Sequence, residues 1–315
     1  MRKSLALQGE LIDEFRACVF DVTLDCEDGA PVGAERDHAQ LVRALAHQAA
    51  EQARAGHWPA RPRVAARLHP VDHDAFTQDV AILGPGASGV FSHFMLPKVE
   101  QPADVDAAVA ALAAVDAQAA RSLPLHVLLE SPAAIHRAFE IAAHPRVQSI
   151  SFGLMDFVSA HGGAIPASAM GGDGQFSHPL VVRAKLELAA ACHSHGKVPA
   201  HGVVTEFRDT EAITVAARRA AREFGFTRMW SIHPAQIRPI IAAFAPSDDE
   251  VGLACEIVLR AQAADWAPIS HRGQLHDRAS YRYFWQTLER AFRTGRSLPA
   301  EVRPFFEPSP ASTGA

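Results

Sequence analysis

Short apolar runs alternate with longer stretches of helical periodicity along most of the chain. Residues 18–24, 63–68, 90–96, 125–129, 147–152, 198–204 and 229–232 form apolar runs of strand length. Hydrophobicity that is continuous, rather than alternating, marks strands buried on both faces, as in a parallel sheet. Between them, residues 34–54, 71–83, 103–120, 132–143, 180–195, 209–224 and 235–243 carry apolar positions at helical spacing, as in Leu41, Leu45 and Ala49. Residues 4–7 read as one further short strand, giving roughly eight strands in alternation with helices, the pattern of a (β/α)8 TIM barrel. Two more helical stretches, 248–264 and 279–293, add a C-terminal extension.

The rival architecture is an open, doubly wound sheet, which needs a glycine loop opening a helix. Gly84-Pro85-Gly86-Ala87-Ser88-Gly89 has GxGxxG spacing. A strand follows it where the helix should begin, so it reads as a turn. The expected division is a barrel over 1–245, a helical extension over 246–300, and a Pro/Ser-rich disordered tail over 301–315. The glycines between Gly162 and Gly174 mark a long, mobile loop, read as a lid or a disordered segment.

Composition narrows the class of protein. Hydrophobic residues make up 48% of the 315 positions and charged residues 21%, enough for a full core. The formal charge of -5 speaks against a nucleic-acid partner or an anionic membrane. No apolar run reaches transmembrane length, and the first ten residues turn acidic too early for a signal peptide. The four cysteines lack CxxC spacing and the 17 histidines lack a HExxH pattern. These features point to reduced thiols and a cytoplasmic protein.

The candidate chemistry lies at the strand exits, where barrel active sites are built. The strands leave through Glu27 and Asp28, Arg67, Lys98, Glu130, Asp156 and His233. Two acids converging there, Glu130 and Asp156, suit a hard divalent ion held through oxygen, with positions left open for a substrate. The planar fork of Arg67 suits a carboxylate. A cation and an arginine together form a clamp for a 2-oxo acid, and they would stabilise an enolate when a carbon–carbon bond beside a carbonyl breaks.

These residues stand in motifs: Leu24-Asp25-Cys26-Glu27-Asp28, Ala66-Arg67-Leu68, Leu96-Pro97-Lys98-Val99-Glu100, Leu129-Glu130-Ser131, Phe152-Gly153-Leu154-Met155-Asp156 and Ser231-Ile232-His233-Pro234-Ala235-Gln236. In that order the chain resembles the HpcH/HpaI aldolase/citrate lyase superfamily, in its citrate lyase beta-subunit-like and malyl-CoA lyase branch. The resemblance implies Mg2+, or alternatively Mn2+, on Glu130 and Asp156, with Glu27 and Asp28 supporting its water shell. It implies that Arg67 binds substrate and that backbone amides from Gly153 through Leu154 and Met155 hold the oxo acid's carboxylate. Lys98 and His233 complete the expected substrate contacts. Gly273-Gln274-Leu275-His276-Asp277 is similar to a segment that carries an acid/base aspartate into a neighbouring subunit, which makes Asp277 the candidate. A homotrimer or dimer of trimers is also implied.

The chain departs from the pattern in three places. The family's usual opening strand is poorly recognisable in residues 1–10, Ala200-His201-Gly202 lacks the family's usual aspartate, and Thr227-Arg228-Met229-Trp230 stands where Gly-Lys is usual. The resulting expectation is an Mg2+-dependent lyase that cleaves a malyl-, citramalyl- or citryl-type 3-hydroxyacyl-CoA to an acyl-CoA and a 2-oxo acid. Rival readings are a retro-aldolase on free 4-hydroxy-2-oxo acids, a citrate lyase subunit served by an acyl carrier protein, and a non-catalytic barrel that binds a metal and an oxo acid.

Overall fold

The computed structural model describes residues 1–29 and 32–306. The chain opens with helix α1 (Arg2–Phe15) and then alternates strands with helices. In order these are β1 (Val22–Asp25), α2 (Glu35–Arg54), β2 (Val64–Arg67), α3 (Phe76–Leu83), β3 (Phe94–Leu96), α4 (Pro102–Val115), α5 (Ala117–Ser122) and β4 (Leu125–Leu129). They continue as α6 (Pro132–His136), α7 (Ala138–Ala143), β5 (Val147–Phe152), α8 (Leu154–Ser159), α9 (Pro179–Ser194), β6 (Val198–His201), α10 (Thr210–Arg222), β7 (Arg228–Met229) and α11 (Pro234–Phe244). The extension holds α12 (Asp248–Ala263), a hairpin of β8 (Ile269–His271) and β9 (Gln274–His276), and α13 (Arg278–Arg293).

Seven strands, β1 to β7, pair in parallel and in chain order, curling into a TIM-barrel-like sheet. Its ends are drawn together by Asp21, which bonds Arg63 before β2 and Arg228 of β7, the latter at 2.5 Å. Alternation along each strand splits the side chains between two environments. Leu125, Val127 and Leu129 of β4, with Ile150 and Phe152 of β5, join the core beneath the surrounding helices. His126, Leu128, Ser149 and Ser151 are buried on the opposite face, inside the barrel.

Several expectations need correction. Residues 4–7 are helical, because Gln8, Leu11 and Ile12 recur at helical spacing and are buried. Leu11 packs on Ile237 and Ile241 of α11, and the Gln8 amide donates to the carbonyls of Phe20 and Arg63, both at 2.9 Å. That helix lies under the start of β1 and β2, so the sheet has seven strands rather than eight. The 103–120 helix breaks at Asp116, whose carboxylate caps α5 by accepting from the Gln118 and Ala119 N–H groups. The 132–143 helix likewise breaks at Arg137.

The 162–174 loop is folded down rather than projecting. Ile165, Ala169, Gln175 and Phe176 are buried, and Gln175 Oε1 accepts from Lys185 Nζ of α9 at 3.0 Å. The extension has a core of its own in Val251, Ala254, Val258, Leu288, Ala291, Leu298 and Val302. The tail expected to be disordered therefore starts packed: Val302 is fully buried and Phe306 lies 4.9 Å from Trp285. Residues 307–315 of that tail lie outside the described residues. Among the described residues no helix is long and apolar enough to cross a membrane. All four cysteines are free and buried.

Candidate active site

The turn after β1 is fixed by its own backbone. Cys26 N–H donates to the Arg67 carbonyl at 2.9 Å, and Glu27 N–H donates to Asp25 Oδ1 at 3.1 Å. Cys26 is buried in the helix-facing core, which leaves Asp25, Glu27 and Asp28 directed at the barrel mouth. Arg67, paired with Asp25 in the β1–β2 register, gathers all three acids. Its Nε and Nη2 donate to Asp25 at 2.7 and 2.6 Å, Nη1 reaches Glu27 at 2.7 Å, and Nη2 reaches Asp28 at 3.0 Å. Burial alone would lower the arginine's pKa, but these carboxylates outweigh it and raise it. The fork expected to meet a substrate is thus closed on Asp25, and most of the five guanidinium donors are taken.

Lys98 follows β3 with φ 52, a left-handed conformation that is costly for a residue with a side chain. That conformation serves two neighbours at once. The Lys98 N–H donates to Glu130 Oε1 at 3.0 Å, and its ammonium sits 3.0 Å from Glu27 Oε1. Burial raises the Glu27 pKa, against the pull of Arg67.

Glu130 leaves β4 almost fully buried, beside Asp156 in the first turn of α8. Burial, then the hydrogen bond and charge of Asp156, push its carboxyl up to about 8. Gly153 makes room for it, since a Cβ there would lie 2.7 Å from Glu130 Cγ and 2.8 Å from Oε2. The Gly153 N–H is spent on the Leu129 carbonyl at 2.9 Å, which leaves Leu154 and Met155 as the first-turn donors of α8. Two facing carboxyls, one of them held toward its protonated form, make an all-oxygen set that a hard divalent ion would relieve. Among the described residues no group of three or more His, Cys, Asp or Glu side chains is arranged to hold a metal ion.

Two contributors were absent from the expected site. One is Asp25, whose place directly opposite Arg67 could be read once strand register is known. The other is Trp230, just past β7. Its indole Nε1 donates to Ser151 of β5 at 3.0 Å, and Arg67 lies 5.9 Å from its ring. Two expected residues stand apart from the cluster's bonds. His233 caps α11 by accepting from Ala235 N–H at 3.2 Å, and Asp277 caps α13 through Ala279 and Ser280.

The chain's relatives identify its family. Residues 7–234 match the family model described as HpcH/HpaI aldolase/citrate lyase. The chain belongs to that family. It is a carbon–carbon lyase by membership, as its residues suggested. It is 32% identical over 292 residues to an L-malyl-CoA/beta-methylmalyl-CoA lyase of Cereibacter sphaeroides, covering 86% of this chain and 87% of that one. A crystal structure from Burkholderia xenovorans LB400, described as a citrate lyase, is 49% identical with a TM-score of 0.80, covering 97% of this chain and 92% of that one. The CitE protein of Mycobacterium tuberculosis, in complex with magnesium, acetoacetate and coenzyme A, shares the fold at 23% identity. Its TM-score is 0.62, over 86% of this chain and 89% of that one.

Proposed function

We propose that this protein is an Mg2+-dependent lyase that splits a 3-hydroxyacyl-CoA into an acyl-CoA and a 2-oxo acid. The observation that carries the reading is the Glu130–Asp156 pair at adjacent strand exits, with Glu130 pushed up to about 8. Support comes from the lyase named for coenzyme A thioesters that is 32% identical over most of its length, and from the magnesium and coenzyme A bound by a protein of the same fold.

Glu130 and Asp156 would hold Mg2+ (or Mn2+), which supplies positive charge for the oxygens of the oxo acid and for the charge that builds up during cleavage. Glu27 and Asp28, anchored by Arg67, orient the water around that position. The first-turn N–H groups of Leu154 and Met155 bind the oxo acid's carboxylate. Lys98 adds a half-exposed ammonium at the rim.

In the reaction the substrate hydroxyl gives its proton to a base. The oxygen's electron pair closes the new carbonyl as the carbon–carbon bond breaks, and that bond's electrons pass to the thioester's α-carbon. The enolate so formed takes up a proton and leaves as the acyl thioester. Asp277 of a neighbouring copy is assigned the base. It is exposed, and it follows a hairpin whose Leu275 is 76% exposed. This assignment makes the protein a homo-oligomer.

The test is turnover of malyl-, citramalyl- and citryl-CoA with Mg2+ and then with EDTA. EDTA-sensitive release of a 2-oxo acid, lost in Glu130→Gln, is the expected outcome. Turnover that survives EDTA and the substitution would remove the assignment.

A further inference from the structure

Resting on the lyase reading, we propose that Trp230 sets which substituent the oxo-acid carbon can carry: hydrogen or methyl passes, carboxymethyl does not. Trp230 hangs from the end of β7, its backbone N–H held by the His201 carbonyl at 3.0 Å. To reach Ser151 on β5 its side chain must cross the whole of β6, two inter-strand spacings or about 10 Å including the hydrogen bond. The residue of β6 beneath that path is Ala200, in register with Ser151, and its small side chain lets the indole pass. The far side of the ring meets Arg67 of β2. The ring of this residue at the end of β7 is therefore tied to β5 and lies beside Arg67 of β2. Arg67 holds Glu27, and Lys98 joins Glu27 to Glu130, which links the ring to the acid cluster.

The site's charge points the same way as its shape. Asp25, Glu27, Asp28, Glu130 and Asp156 gather around two cations, Arg67 and Lys98. Arg67 is committed to three of those acids. The Lys98 ammonium lies 3.0 Å from Glu27, on the rim. An oxo acid with one carboxylate and a small apolar group fits above an indole face. A second carboxylate on the substituent facing the indole would be desolvated there, because Arg67, the cation beside the ring, is already committed to three acids. The substrates that fit are malyl- and citramalyl-type thioesters, which give glyoxylate and pyruvate. The citryl type, which gives oxaloacetate, is excluded.

Wild type, Trp230→Ala, Trp230→Leu and Trp230→Phe would be titrated calorimetrically with glyoxylate, pyruvate and oxaloacetate in Mg2+, and assayed on the three thioesters. Wild type should bind oxaloacetate at least about tenfold more weakly than glyoxylate. Trp230→Ala should close that gap by about tenfold, and Trp230→Leu, which keeps the barrel filled if the alanine variant unfolds, should close part of it. Trp230→Phe, which keeps a ring, should retain the wild-type order. In turnover the change should appear as a rise of about tenfold in the ratio of kcat/KM for the citryl thioester to that for the malyl thioester. Unchanged ratios in both shortened variants, or a wild type that prefers oxaloacetate, overturn the role of Trp230 while leaving the lyase reading intact. Selective oxo-acid binding without cleavage of any thioester overturns the lyase reading and leaves Trp230 as assigned. A wild type that binds no oxo acid overturns both.

Discussion

Asp25 and Arg67 face each other across the β1–β2 register, and the carboxylate closes on two edges of the guanidinium at 2.7 and 2.6 Å. This arrangement makes Arg67 the hub that holds Glu27 and Asp28 in place. A lysine carries the charge but cannot bind Asp25 on two edges while also reaching Glu27. Arg67→Lys should therefore lower kcat/KM by about a hundredfold through misplacement of the acids, and adding guanidinium to the assay should restore little. A variant within a few-fold of wild type would show that charge alone suffices.

Gly153 is the second position where geometry sets function. A methyl group there would meet Glu130 Cγ at 2.7 Å and must displace the carboxylate or the start of α8. Gly153→Ala should weaken Mg2+ binding by about tenfold to a hundredfold, the cost typical of losing a ligand's support. Its thermal unfolding should stay near that of wild type, because the site sits at the mouth rather than in the core. Titration calorimetry beside a melting curve separates the two effects.

Lys185 gives stability a pH dependence. Burial, with Arg219 adding to it, pushes the folded amine down to about 6, and its near neighbours are Gln175, the Phe176 ring at 4.0 Å and the buried His201. An unfolded lysine titrates near its ordinary value of about 10.4. Between those values the unfolded chain holds a proton that the folded chain lacks, so stability rises with pH across that window and is lost as pH falls through it. Lys185→Met removes this dependence. Urea unfolding at pH 6.5 and pH 9 should show wild type gaining on the variant at the higher pH, and parallel behaviour would contradict it.

Much of this was legible in the sequence, for physical reasons that differ between elements. Strands such as β4 are buried on both faces and so appear as unbroken apolar runs, and their exits placed Glu130, Asp156, Arg67 and Lys98 together. The first helix was misread because residues 4–7 are too short to show a period, and the evidence for a helix lies in Gln8, Leu11 and Ile12 beyond them. Asp25 was passed over because its role depends on register, a property of two strands at once. Trp230 was seen only as a departure from a pattern, since a side chain that reaches past a neighbouring strand leaves no local mark. The glycines between Gly162 and Gly174 suggested mobility, yet the buried Gln175 and Phe176 that follow tie the segment to α9.

Asp21 closes the sheet where a strand is missing, and it is nearly buried between Arg63 and Arg228. Asp21→Asn keeps the shape but leaves both guanidinium groups without their counter-charge. Each remains partly exposed, so the cost should be about 2 kcal/mol rather than the larger penalty of a fully buried pair. Denaturant unfolding measures it, and an unchanged midpoint would mean the ends of the sheet are held by packing alone.

The assignment of Asp277 to a neighbour's site makes a prediction that no single-chain reading shares. Glu130→Gln would remove the carboxylate proposed to hold the ion in its own barrel, and Asp277→Asn the base proposed to be lent to a neighbour. Each variant alone should be inactive. Coexpressed, they can form an oligomer in which an intact barrel meets an intact Asp277 from the adjacent chain, so activity should return to about a quarter of wild type if subunits mix at random and pair one to one. Failure to recover activity, with mixed oligomers demonstrated by differently tagged chains, would place Asp277 outside the chemistry and leave it as the cap of α13 that its bonds to Ala279 and Ser280 already describe.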